Sequence, residues 1–83
     1  MAPKTIYSPA YRRLVARLRG LREEAGKSQT ALARELGWPQ QRLHSVEAGA
    51  RRLDVMEFFQ LARALGMEPT DAAKLVEVKS RTI

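Results

Sequence analysis

The sequence predicts an all-α domain of five short helices, on three observations. Apolar residues return every three or four positions in five separate stretches, the spacing that places them on one helical face. Glycine or proline opens or closes nearly every stretch, and no segment shows the alternation of a half-buried strand. With 83 residues, 45% of them hydrophobic and 29% charged, the chain has room for one core and the side chains to build it.

Residues 1–8 carry no period and read as an N-terminal arm, with Ile6 or Tyr7 docking on the body. Ser8-Pro9 marks the first helix start: the hydroxyl caps, and proline takes the first helical position, where a missing N–H is harmless. This helix runs over about 9–25 through Leu14, Val15, Leu18, Leu21 and Ala25, and Gly26 stops it. Gly20 in its interior costs about 1 kcal/mol against alanine, a cost that a close helix contact would explain.

Ser28 caps a second helix, QTALAREL, in which Leu32, Ala33 and Leu36 share a face before Gly37 closes it. A residue before proline is pushed out of the helical region, so Trp38-Pro39 breaks the pattern and opens a third helix over about 39–47. Leu43 and Val46 face inward there, Gly49 ends the helix, and Arg51-Arg52 make a basic loop. Asp54 and Glu57 form a D-x-x-E capping box, with Leu53 and Phe58 placed as its hydrophobic staple. The fourth helix carries Val55, Phe58, Leu61, Ala62 and Leu65 inward until Gly66, while Met56 and Phe59 fall beside that stripe, as extra core or partner surface. Glu68-Pro69 opens a fifth helix through Ala72, Leu75 and Val76. The domain is therefore expected to span 9–78, with 79–83 as a C-terminal tail.

Composition removes most chemistries. There is no cysteine and a single histidine, His44, so thiolate nucleophiles, disulfides and histidine metal clusters have no parts; no metal, no cofactor and no enzyme activity are expected. No apolar run approaches a membrane span, and Met-Ala-Pro-Lys-Thr-Ile-Tyr lacks the apolar stretch of a secretory signal, which predicts a cytoplasmic protein with no membrane partner. Fifteen Lys and Arg against nine Asp and Glu give +6, a balance that suits a polyanion. Residues 1–52 hold eleven basic and four acidic side chains and residues 53–83 four and five, so the first two thirds face that partner.

The second and third helices are joined only by Gly37-Trp38, too tight a joint for an antiparallel hairpin, so they cross steeply. That geometry is the helix-turn-helix, whose second helix can lie in a DNA major groove. The stretch QTALARELGWPQQRLHSVEAG resembles the core of Cro/cI-like regulators, the XRE-type family that includes lambdoid phage repressors. The resemblance extends through RRLDVMEFFQLARALG and back into LRGLREEAGKSQ, covering about residues 14–66, and implies a compact lambda-repressor-like domain. Ala33 matches the small residue where the helices cross, Gly37 the turn, and Leu43 and Val46 the inward anchors.

With Leu43 and Val46 inward, about 100° per residue turns Gln41, His44, Ser45 and Ala48 outward, with Gln40 at the exposed amino end and Arg42 on the flank. Glutamine can donate and accept together against adenine N6 and N7, so Gln40 and Gln41 suit base reading, joined by Ser45 and by His44, which has a base, a phosphate or solvent to face. Arg42, Arg51 and Arg52 suit phosphates, against the plainer reading of a solvated charged face. The resemblance implies that Gln29 contacts a phosphate and braces Gln40, and that Arg22 and Glu47 form a partly buried ion pair tying helix 1 to helix 3. Trp38 is expected to pack across the turn. The sequence departs from the family at Pro39, where a capping side chain is common, at Ala48 and Ala50, which replace an Asn and a basic residue, and at Lys27, where an apolar residue is usual.

These readings converge on a sequence-specific regulator of transcription, a repressor that binds a palindromic operator in double-stranded DNA as a homodimer through helices 4 and 5. The rival readings are an antitoxin or other partner-binding protein that autoregulates its promoter, and a restriction-modification controller protein.

Overall fold

The computed structural model describes residues 8–76, in five helices: α1 (Pro9–Glu24), α2 (Gln29–Leu36), α3 (Gln40–Glu47), α4 (Val55–Ala64) and α5 (Pro69–Ala73). The arm before Ser8 and the tail 79–83 lie outside the described residues.

Each helix start has a local cause. Ser8 Oγ accepts the N–H of Tyr11 at 3.1 Å and Ser28 Oγ that of Ala31 at 3.0 Å, satisfying donors that a first helical turn leaves open. At α4, Asp54 Oδ1 accepts the Glu57 N–H at 2.7 Å while Glu57 Oε1 accepts the Asp54 N–H at 3.1 Å, a reciprocal capping box. Pro39 offers α3 no side-chain cap, so that helix begins with open N–H groups.

The core is one cluster. Leu32, Leu43 and Val46 are wholly enclosed, with Leu18, Ala33, Trp38, Leu53, Phe58, Leu61, Ala62 and Ala72 packed around them. α2 stands at the centre against α3 and α4, α1 packs on α3, and α5 closes the far side on α4. Burying each large aliphatic side chain contributes about 1.5–3 kcal/mol, and the three most enclosed, Leu32, Leu43 and Val46, belong to α2 and α3.

The structure corrects four expectations. Val55 is 69% exposed, not inward: it is the first residue of α4, and that turn overhangs the core that Phe58, one turn on, enters. α5 stops at Ala73; the N–H groups of Lys74, Leu75 and Val76 each bond the carbonyl three residues back, a tightened turn that leaves Leu75 half-buried and Val76 40% exposed. α1 ends one residue early, with Ala25 as an exposed C-cap. Gly20 meets no close neighbour, since a Cβ built there would find nothing within 4 Å.

Candidate nucleic-acid interface

The joint between α2 and α3 is made by Gly37 in the left-handed region, φ 72°, where a Cβ would be strained. The chain closes α2 with a Schellman pair: Gly37 N–H donates to Arg34 O at 3.1 Å and Trp38 N–H to Ala33 O at 2.9 Å. Trp38 then turns into the core, as expected for packing across the turn, and α3 begins two residues later at Gln40. With Leu43 and Val46 buried beneath it, α3 leaves Gln40, Gln41, His44 and Ala48 exposed; Ser45 is half-buried on the flank, its carbonyl taking the N–H groups of Ala50 and Arg51 at 2.9 and 3.2 Å.

One polar chain supports this face from behind. Arg22 on α1 grips Glu47 with one edge of its guanidinium, Nε donating to Oε2 at 2.7 Å and Nη2 to Oε1 at 2.9 Å, while its Nη1 donates to Lys27 O at 2.8 Å. The hydrogen bonding that Arg22 donates to Glu47 leads the effects that raise the Arg22 pKa, ahead of the opposing cost of burial, so the guanidinium is held charged. Gln29 Nε2 donates to Glu47 Oε1 at 2.8 Å, and Gln29 Oε1 lies 3.4 Å from His44 Nδ1. Gln29 thus braces the C-terminal half of α3, through Glu47 and beside His44.

A second chain runs along the flank. The Arg42 guanidinium sits over the Trp38 ring, 5.3 Å from its centroid, and approaches Glu57 Oε2 at 3.7 Å. Arg51 Nη2 donates to the same Glu57 oxygen at 2.6 Å. Glu57, buried in α4, therefore holds two arginines beside the outward face of α3. Arg52 is exposed and has no ion-pair partner among the described residues.

A helix-turn-helix domain family model matches residues 13–75. A solved structure, the XRE-family like protein from Pseudomonas syringae pv. tomato str. DC3000, is 40% identical, covers 87% of this chain and 89% of its own, and superposes with a TM-score of 0.77. The chain belongs to the XRE-type helix-turn-helix family. It is a DNA-binding regulator, in a family fold typical of proteins that bind without catalysis. A search of curated proteins returns no match. Among the described residues no helix is long and apolar enough to cross a membrane.

Within this XRE-type domain the lysine at position 27 has a clear task. Its Nζ donates to Glu35 Oε1 and to Ala64 O, both at 2.9 Å, so a cation caps the C-terminal end of α4 while bridging to α2. Tyr11 ties α1 to the loop before α4, its hydroxyl accepting the Leu53 N–H at 2.9 Å. Neither contact has a signal in helical spacing, because each joins residues 37 and 42 positions apart. The tie from Glu57 to Arg51 has a partial one, since the capping box sets a carboxylate just after a basic pair.

Proposed function

We propose that this chain is a sequence-specific transcriptional repressor that binds a palindromic operator in double-stranded DNA as a homodimer, with α3 in the major groove. The observation that carries the reading is the two-sidedness of α3: Leu43 and Val46 are 0% and 1% exposed, while Gln40, Gln41 and His44 are open to solvent on the other side. Gln40, Gln41, His44 and Ser45 read bases; Gln29, Arg42, Arg51 and Arg52 meet phosphates, which position the helix but carry no sequence information. Arg22 and Glu47 fix how far α3 stands out from the body. The protein works by occupying DNA in the cytoplasm, and it catalyses nothing.

The dimer is assigned to α4 and α5. Supporting this, Val55, Met56 and Val76 are the exposed large apolar side chains of the described residues, and they fall in the third of the chain whose charge is near zero. Beside them Phe59 and Leu75 pack half-buried against the core, so they contribute less to this surface than Val76, which is 40% exposed. A two-fold arrangement sets the recognition helices about 34 Å apart, one turn of DNA.

Selection of bound duplexes from a random pool tests the reading. A two-fold sequence with half-sites one turn apart is the expected product. A lone half-site would contradict the dimer, and an unenriched pool would contradict sequence-specific binding.

A further inference from the structure

We propose that Gln29 sets the tautomer of His44, so that His44 meets DNA bases as a hydrogen-bond acceptor through Nε2. The proposal rests on the reading of α3 as the base-contacting helix and adds to it a polarity for one side chain.

The constraint originates at a buried carboxylate, that of Glu47. An ionised Glu accepts and cannot donate, and both oxygens of Glu47 are in use: Oε2 takes Arg22 Nε, and Oε1 takes Arg22 Nη2 and Gln29 Nε2. Arg22, held charged by this contact, keeps the carboxylate paired. The amide of Gln29 therefore has one orientation, with its NH₂ toward Glu47 and its oxygen toward His44 Nδ1, 3.4 Å away. An amide oxygen only accepts, so Nδ1 carries the proton of the neutral ring, and Nε2 is left with a lone pair.

His44 is exposed on the outward face of α3 beside Gln41, so that lone pair is what the ring presents to a groove. In the major groove the donors are the exocyclic amines of adenine N6 and cytosine N4; guanine N7 and O6 and thymine O4 would set lone pair against lone pair. Gln29 is thus a positioning residue, acting through His44 from a place where it need not touch a base.

The test has two arms. In the first, ¹⁵N spectra of His44, the chain's one histidine, are recorded where its ring signals no longer move with pH. Nδ1 is expected as the protonated, pyrrole-type nitrogen and Nε2 as the pyridine type, with both tautomers populated in Gln29→Leu. A pyridine-type Nδ1 in the parent overturns the proposal without reference to DNA. The second arm takes the selected operator and the base pair whose preference His44→Ala abolishes. Deleting the exocyclic amine there, as purine for adenine or pyrimidin-2-one for cytosine, is expected to weaken the parent about tenfold and leave His44→Ala unchanged, the scale of one hydrogen bond. Replacing the purine N7 by C–H is expected to change neither; sensitivity to N7 in place of the amine overturns the proposal. If His44→Ala leaves every preference intact while Gln40→Ala relaxes one, the proposal falls and the reading of α3 stands. If neither substitution alters a preference, both fall.

Discussion

Arg22 and Glu47 meet edge to edge, two parallel hydrogen bonds of 2.7 and 2.9 Å between side chains only 9% and 7% exposed. The fork of the guanidinium matches the carboxylate, and the remaining nitrogen ties off the α1–α2 loop at Lys27 O. A single contact thus fixes α1, the loop before α2 and the C-terminal turn of α3.

Removing one partner leaves the other charge buried and unpaired, which costs about 3–5 kcal/mol, against about 0–1 kcal/mol for an exposed pair. Glu47→Ala should therefore lower the urea midpoint strongly with little change in slope, and a midpoint equal to the parent's would contradict the burial of the pair. Because the Arg22 pKa is raised, the stabilisation is fully present below the unfolded-state value and is lost only as pH rises through the higher folded one. The difference between the parent and Arg22→Met should accordingly stay constant from neutral into moderately alkaline solution.

Gly20 makes no close approach and lies inside a regular helix, with ordinary negative φ. Alanine should fit without strain, and Gly20→Ala should raise stability by about 1 kcal/mol through helix propensity alone. Denaturant unfolding checks it; a loss of stability would reveal a contact that the free space around the Cβ position denies.

Much of this architecture is legible in the sequence because its signals are local. Ser8, Ser28 and Asp54 cap the helices they precede, Gly37 makes the turn, and Leu43 and Val46 orient α3. Val55 fails the same reasoning because periodicity gives a direction around the helix axis and not a position along it; at the end of α4 the inward direction meets solvent. The end of α5 is illegible for want of punctuation: no glycine or proline follows Ala73, and the tightening over 74–76 has no residue signature. The roles of Lys27, Tyr11 and Glu57 come from helices that only the folded chain brings together.

Val55 and Met56 are 69% and 70% exposed at the start of α4. Met56→Glu should leave folding intact while costing about 1–2 kcal/mol of self-association if this surface is the two-fold contact. Sedimentation equilibrium of parent and variant measures it. A parent that sediments as a monomer at high micromolar concentration, with one protein bound per selected site, would contradict the dimer.

The most direct test of the central claim is a salt titration of Gln40→Ala and Arg52→Ala on the selected operator and on random duplex. Gln40→Ala should lose about 1–3 kcal/mol on the operator, relax the choice at one base pair per half-site, and barely change binding to random DNA. Arg52→Ala should weaken both duplexes alike and reduce the slope of log affinity against log salt by about one. If Gln40→Ala lowers both affinities equally, α3 does not read the bases and the account of this site is contradicted.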